Sequence, residues 1–482
     1  MNSKMFEVKN LDATDYIEEI VAERNHIFPF DLSKNMISIL HNENYSEENK
    51  QRMKQYLSEK GITDIIWKEA NDILISRCIV TYYTLVQSNN LMDVQLNHVL
   101  ENGDILKLLD LILCCALDMN ATDINFFQSK LGLLVRFRVR GALKTFCILD
   151  KEISDDFIRA IKVKASIDIS KNRNPRDGKI IFNYDAENIQ VDIRVSVVPV
   201  VDNEKIHLRL LNQNSVPFEI DELEMRVEDQ VKLNSFLKRD SGFLLITGPT
   251  SSGKSTTMRC CLNTIHDGEK HIISLEDPVE YAIEGITQVQ VCKESEYGFL
   301  EALRAMLRQD PDVLAIGEIR DFETCNTAIQ SSLTGHFVIS TLHTKSAQSA
   351  IDRMVSIGIN SQVLSMSLGL VVNQRLVRIL CPACKEQEEY FGNDIEELSL
   401  HLGDNIYARR GCERCQYTGY DRQRPIFQVI FVDDEMKNEI LQSGHLKSRK
   451  DLSIFKQVKQ LFWNGDMSLE DAICFCEGDD VD

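Results

Sequence analysis

One stretch, Gly242–Thr257, constrains what this chain can fold into more than any other. It reads Gly-Phe-Leu-Leu-Ile-Thr-Gly-Pro-Thr-Ser-Ser-Gly-Lys-Ser-Thr-Thr. Phe243 to Ile246 form a short, unbroken apolar run, the pattern of a central strand buried on both faces. Gly248-x-x-x-x-Gly253-Lys254-Ser255 follows at once, the full phosphate-loop pattern. Gly248 and Gly253 let the backbone turn tightly and bring the N–H groups of Pro249's neighbours Thr250, Ser251 and Ser252 close to a phosphate. A helix starting near Lys254 aims the positive end of its dipole at the same oxygens. Lys254 adds a charge at the β- and γ-phosphates, and the Ser255 hydroxyl, with Thr256 beside it, is placed to ligate Mg²⁺. The plain alternative, a glycine-rich turn between strand and helix, does not call for all four fixed positions after an apolar strand.

With 482 residues the chain has length for roughly two to four domains. A hydrophobic share of 43% and a charged share of 27% are ordinary for a soluble globular protein. No window approaches the ~18 uninterrupted apolar residues of a membrane span. Even Ile105 to Met119 is broken by Lys107 and Asp110. The polar start, Met1 to Asn10, lacks the apolar core of a signal peptide, so a cytoplasmic location is expected, with any membrane role exerted through a partner. A net charge of −20 is a poor match for a nucleic-acid backbone, and no nucleic-acid partner is expected. Most of the 14 cysteines should be reduced and buried; Cys114-Cys115 and Cys260-Cys261 sit in apolar helical contexts that fit this.

Residues 1–100 mix polar helical patterns with a few apolar clusters. Ser46 followed by Glu47 and Glu48 marks a helix start, and Glu69 to Val86 reads as a long helix. The segment carries no chemistry and is either an adaptor domain that docks onto a partner or a structural extension. Residues 101–212 read as a smaller α/β domain. Val135, Phe137 and Val139 alternate with Arg136 and Arg138; Val191, Ile193, Val195 and Val197 with Asp192, Arg194 and Ser196; Ile206, Leu208 and Leu210 with His207 and Arg209. Asp155 to Ser166 reads as a helix, and Pro175 to Gly178 as a turn before a strand from Lys179. The arginines are either a solvated basic face or, for Arg194 and Arg209, groups that reach a nucleotide. Residues 213–229, with Pro217 and several acids, read as a linker, and 230–482 as the main domain, opening with a helix over Gln230 to Lys238.

Further motifs follow the phosphate loop. Ile272 to Leu275 is another buried strand, ending in Glu276-Asp277-Pro278-Val279-Glu280. Acids at the carboxyl end of a parallel strand face the ligand crevice, where Glu276 or Glu280 could orient or deprotonate a water; the alternative is an acidic helix start. Val313-Leu314-Ala315-Ile316-Gly317-Glu318 has the Walker B form, four apolar residues delivering a carboxylate to Mg²⁺ and its waters. Phe337 to Ser340 is a strand with His336 before it, read as structural, and His343 at its carboxyl end, placed to sense a γ-phosphate. Cys381-x-x-Cys384 and Cys412-x-x-Cys415 have the spacing of a closed, structural Zn²⁺ site within 376–430; a redox pair would need only one such motif.

These motifs together resemble the secretion-ATPase superfamily that powers type IV pilus assembly and type II secretion. The resemblance spans about Thr122 to Gln428 and rests on the phosphate loop, Glu276 to Glu280, Leu307 to Asp321, Thr334-Gly335-His336 through Thr344, and the four cysteines. It implies a hexamer of RecA-like cores with a parallel sheet, each preceded by a smaller PAS-like α/β domain, and ATP bound in the cleft between them. It also implies roles: Glu276 and Glu318 in water activation and magnesium positioning, His343 in a histidine box, Arg194 and Arg209 reaching the nucleotide. The zinc module and N-terminal extension resemble the assembly motors, which implies an inner-membrane platform partner engaged through residues 1–100. Several positions depart from the family pattern. Ser251 stands where glycine is usual, Asn125 for histidine, Arg140 for aspartate, Asp421 and Pro425 for glycines, and Gln428 for glutamate. Two rival readings remain: a DNA-uptake or conjugation motor, which the acidic balance disfavours, and a nucleotide-gated scaffold that does not hydrolyse, which the presence of both Glu276 and Glu318 disfavours.

Overall fold

The computed structural model describes residues 19–43, 45–70, 104–129, 132–149, 151–170, 174–184, 189–201, 203–211, 217–291, 298–447 and 454–476, together with 13, 16, 17, 75, 78 and 79. The chain forms two compact units, Met1–Leu211 and Asn212–Asp482.

The first unit holds two sheets. Strands β1 (Ile27–Ser33), β2 (Met36–His41) and β3 (Asp64–Glu69) pair in that order, β1 against β2 antiparallel and β2 with β3 parallel. The crossover from β2 to β3 runs through the helix Glu47–Glu59, where the Ser46 side chain accepts from the Asn49 N–H and Glu47 and Glu48 occupy the first turn. Glu69 ends β3 instead of opening a helix, because the segment pairs along β2 up to His41. The expected helix beyond it, to Val86, falls outside the described residues apart from 70, 75, 78 and 79.

The second sheet has six antiparallel strands in the order β6-β5-β4-β9-β8-β7. They are β4 (Ala121–Ser129), β5 (Gly132–Val139), β6 (Ala142–Leu149), β7 (Arg176–Tyr184), β8 (Ile189–Pro199) and β9 (Glu204–Leu211). The apolar members of each alternating run, such as Phe137, Ile193 and Leu208, are buried and meet Leu109, Ile112, Phe157 and Ile161 from the helices Ile105–Asp118 and Lys151–Lys164. Arg140 and Gly141 close the β5–β6 hairpin with φ of +53° and +81°, the two-residue turn in which both residues are left-handed. Arg176 to Gly178 belong to β7 and are not a turn. The Arg176 guanidinium is drawn in to Glu204, and a Cβ on Gly178 would stand 2.5 Å from the Ala165 carbonyl, so this glycine serves a close approach.

The second unit is organised around a seven-stranded sheet ordered β12-β11-β13-β14-β10-β15-β18. Its strands are β10 (Gly242–Thr247), β11 (Ile272–Glu276), β12 (Thr287–Gln290), β13 (Val313–Ile316), β14 (Phe337–Leu342), β15 (Leu368–Leu380) and β18 (Tyr420–Phe431). All neighbours are parallel except β15 and β18, so the parallel sheet carries one antiparallel edge strand. Pro425 lies on that edge strand, where a missing ladder donor is tolerated. Two apolar clusters cover the sheet, which explains why its strands read as unbroken apolar runs. The stretch expected as a linker differs from that reading in its described part, 217–229. Ile220–Leu223 forms a 3-10 turn closed by a Glu219/Glu222 capping box; Ile220 and Leu223 are buried, and a helix already starts at Val227. A hairpin of β16 (Glu386–Glu389) and β17 (Asn405–Ala408) belongs to the cysteine-bearing insertion. A core including Val377, Leu400, Val458 and Ala472 joins the insertion to the helices Ile454–Trp463 and Leu469–Cys476. Among the described residues no helix is long and apolar enough to cross a membrane.

Candidate functional site

The carboxyl ends of β10, β11, β13 and β14 lie on one edge of the parallel sheet, where ligand crevices form in such folds. β10 delivers the phosphate loop. Gly248 has φ +151°, and a Cβ there would stand 2.4 Å from the Gln374 carbonyl oxygen and 2.5 Å from Ser252 Oγ. Gly253 has φ +89° and precedes the helix Lys254–Ile265. Ser251 holds the left-handed conformation at φ +61°, which accounts for the expectation of glycine there.

Lys254 is buried, and its Nζ donates to the Gly248 and Pro249 carbonyls at 2.9 Å each. Burial pulls its pKa down to about 8 against the opposing pull of Glu318 and Glu280. His343, one residue past β14, brings Nδ1 to 3.3 Å from Lys254 Nζ and Nε2 to 3.6 Å from Glu318 Oε1. Burial and the charge of Lys254 lower the histidine pKa, with Glu318 opposing. A neutral ring that accepts the lysine proton at Nδ1 carries its own hydrogen on Nε2, facing the carboxylate. Glu318 also accepts from Arg320 Nη2 at 3.0 Å, and Arg320 Nη1 lies 3.5 Å from Asp277 Oδ2. Gly317 allows the close approach behind it: a Cβ would come within 3.0 Å of the Leu275 carbonyl. Lys254, His343 and Glu318, distant in sequence, therefore meet.

Glu276 is held differently. It is buried at the end of β11 and accepts at Oε1 from Ser274 Oγ (2.7 Å) and Gln288 Nε2 (3.1 Å). Bends and turns follow it, so the reading of this acid as a helix start does not hold. His336, at the other end of β14, is engaged through Nδ1 with the Ser331 carbonyl at 3.0 Å. The sequence reading missed Arg320 and two buried amides on β15, Asn373 and Gln374; the available signal was a polar interruption of an apolar strand.

In the first unit, Arg194 on β8 and Arg209 on β9 stand directly opposite each other. Such like charges are unfavourable unless compensated. Asp123, buried on β4 beside Arg209, supplies a counter-charge. Its carboxylate lies 3.1 Å from His207 Nε2, 3.5 Å from Arg138 Nε and 3.7 Å from Arg209 Nε, and accepts from Thr122 Oγ1 at 2.8 Å. Burial pushes the Asp123 pKa up, but hydrogen bonds from His207 and Thr122 and the charges of His207 and Arg209 outweigh it and hold the group below its usual value.

The four thiols of Cys381, Cys384, Cys412 and Cys415 lie within 4.8 Å of one another. The Sγ pairs 381–412, 384–415 and 412–415 are 3.9, 3.8 and 3.8 Å apart. A tetrahedron of thiolates at about 2.3 Å from Zn²⁺ has edges of about 3.8 Å, whereas a disulfide needs about 2.05 Å. The donor set fits zinc. N–H groups of Cys412 and Gly419 point at Cys415 Sγ at 3.2 and 3.3 Å; burial pushes that thiol up, and these donors bring it down to about 7.

A parallel sheet whose strand ends bring together a phosphate-loop lysine, a histidine and a Walker B glutamate defines an α/β protein of the phosphate-loop class. The family described as type II/IV secretion system protein matches residues 98–477, and the chain belongs to it. The chain is 41% identical over 344 residues to the type II secretion system protein E of Pseudomonas aeruginosa, covering 70% of this chain and 68% of the relative. It is 38% identical over 365 residues to that of Dickeya dadantii, covering 75% and 72%. The type IV pilus assembly ATPase PilB of Myxococcus xanthus is 32% identical over 426 residues, covering 86% and 73%. Two solved structures share the fold. The Legionella pneumophila ATPase DotB has a TM-score of 0.56 at 18% identity, covering 76% of this chain and 95% of its own. The pilus retraction motor PilT with bound ADP has a TM-score of 0.51 at 24% identity, covering 76% and 96%.

Proposed function

We propose that this protein is a cytoplasmic ATPase motor that works as a hexamer and drives pilin or pseudopilin assembly against an inner-membrane platform protein. The observation that carries the reading is the meeting of Lys254, His343 and Glu318 at one sheet edge, in a chain of this family. Phosphoryl transfer asks the protein mainly for positioning and charge. The phosphates of ATP would lie on the backbone N–H groups of Thr250 to Lys254, with the ammonium of Lys254 turned from the loop carbonyls to the β- and γ-oxygens. Ser252 Oγ, a polar atom of the loop itself, is buried with no hydrogen-bond partner among the described residues. Ser255 and Glu318 would hold Mg²⁺, which supplies positive charge to the phosphate oxygens. Glu318 and Glu276 orient the attacking water, and His343 relays the state of the γ-phosphate to Glu318. Arg194 and Arg209 of the smaller, PAS-like domain add positive charge to the nucleotide. The four cysteines hold a structural zinc, and residues 1–100 dock onto the platform.

The test is Mg-ATP hydrolysis by the purified chain over a range of protein concentrations, beside Glu318→Gln. Specific activity should rise with concentration as rings form, and the variant should lose about 10²- to 10⁴-fold in rate while still binding Mg-ADP. Full activity in Glu318→Gln would remove the assignment of that carboxylate, and DNA-stimulated turnover would favour a nucleic-acid motor instead.

A further inference from the structure

β15 carries none of the recognised motifs, yet it touches both loops of the nucleotide side. Its middle reads Val371-Val372-Asn373-Gln374-Arg375, and both amides are 1% exposed. Burying a side-chain amide is unfavourable unless its polar atoms find partners. The period of two sends these neighbours to opposite faces. On one face Asn373 Oδ1 accepts from Thr247 Oγ1 at 3.2 Å, and Nδ2 donates to the Lys345 carbonyl at 3.1 Å. Thr247 is the last residue of β10, and Lys345 lies two residues beyond His343. Arg375 Nη2 donates to the same Lys345 carbonyl at 3.1 Å. On the other face Gln374 Nε2 donates at 2.6 Å to the carbonyl of Ser252, inside the phosphate loop.

The pairing of β10 with β15 ends at Thr247 opposite Asn373. Past that point the phosphate loop leaves the sheet and has no ladder partner, and the Gln374 side chain takes over from the missing rung. Among the described residues Gln374 Oε1 is buried with no hydrogen-bond partner, so the bond to the Ser252 carbonyl fixes which way the amide points.

We infer that Asn373 and Gln374 are positioning residues for the nucleotide site, a two-sided amide clamp. Gln374 sets the height of the phosphate loop, and Asn373 sets the loop that presents His343. The inference rests on the reading of Gly248 to Thr256 as the nucleotide cradle. The experiment uses the full chain, with Mg-ADP titration as the binding probe and steady-state hydrolysis alongside. Gln374→Met keeps the length of the side chain and removes the donor; Mg-ADP should bind about ten-fold more weakly, with KM raised to match and kcat within about two-fold of native. Asn373→Leu should do the reverse, lowering kcat about ten-fold and leaving Mg-ADP affinity within about two-fold. Gln374→Asn and Asn373→Ser, which shorten the polar groups, should give the same split at smaller size and decide the matter where the first pair fails to fold. Folded Gln374 variants with native Mg-ADP affinity overturn the clamp. So does a parallel loss of affinity and kcat at both positions, which general loosening of the core would give. A native chain that binds no Mg-ADP overturns the cradle and the clamp together, whereas native binding with unchanged variants removes the clamp alone.

Discussion

Two of the charged clusters among the described residues are built on opposite plans. In the second unit, Lys254, Glu318 and His343 follow the carboxyl ends of β10, β13 and β14, three parallel strands whose loops leave the same edge. In the first unit, Asp123, Arg138, Arg194, His207 and Arg209 stand along four antiparallel strands, on the face turned away from the core. Each cluster holds one buried charge among more exposed ones: Lys254 is 8% exposed beside His343 and Glu318, whose side chains are 41% and 29% exposed, and Asp123 is 7% exposed beside Arg138 and Arg209, whose side chains are 42% exposed. The buried ammonium of Lys254 acts through a lower dielectric than the guanidinium groups of the face, which water and salt screen. Loss of the Lys254 charge should therefore have a large effect on the pocket, and loss of a single charge on the face, where several groups share the compensation, a graded one.

The sharpest break of that contrast is Lys254→Met. Loss of the charge-assisted contact to the β-phosphate, the one of its two proposed partners that ADP keeps, should weaken Mg-ADP by about 10- to 10²-fold in an equilibrium titration. Stability should hold or rise, because the variant removes a desolvated ammonium and keeps the aliphatic stem. Near-native affinity in Lys254→Met would show that the backbone cradle alone carries binding. A collapsed melting temperature would show the lysine to be structural.

Asp123→Asn is the matching change on the face. It takes a counter-charge away from Arg138 and Arg209, beside the opposed Arg194, and should cost about 1–3 kcal/mol of stability, read by denaturant unfolding. The carboxylate is held below its usual pKa in the folded protein. The unfolded chain therefore binds more protons in the window below the usual carboxylate value, and stability present above that window is lost as pH falls through it. The variant should flatten this acid limb near pH 4 and below. An acid limb that is unchanged in Asp123→Asn would assign the loss to other carboxylates.

The same contrast explains what can be read from sequence. A strand end is a local event, so Gly248 to Ser255 and Val313 to Glu318 announce themselves within a few residues, and Phe243 to Ile246 reads as buried because both faces are covered. The order of the strands is not local: nothing near β18 says that it pairs antiparallel with β15. The arginine face is assembled from strands far apart in the chain, and its residues alternate as any solvated strand does. Only the family resemblance singles out Arg194 and Arg209, and no local pattern marks Asp123 as the acid beside them. Gln374 escapes for a related reason, since its partner is a backbone carbonyl 122 residues away. Arg176 to Gly178 reads as a turn because Pro175 and Gly178 signal one, whereas the glycine there makes room for the Ala165 carbonyl.

The smallest test compares one strained residue from each region. Ser251 in the phosphate loop and Arg140 in the β5–β6 hairpin both hold left-handed backbone, at φ +61° and +53°. That conformation costs a non-glycine residue about 1–2 kcal/mol, part of which glycine returns through the greater freedom of the unfolded chain. Ser251→Gly and Arg140→Gly should each stabilise by about 0.5–1 kcal/mol, a rise in melting temperature of about 1–4 °C. Their effects on nucleotide should differ. Arg140→Gly relaxes a hairpin whose register is already set by pairing along β5 and β6 and should leave Mg-ADP affinity unchanged. Ser251→Gly frees a loop that must be held in one conformation to present its N–H groups, so affinity should fall by up to about three-fold even as stability rises. Equal affinity in both variants would mean that Gln374 and Lys254 alone hold the loop in shape, and that the serine adds only strain.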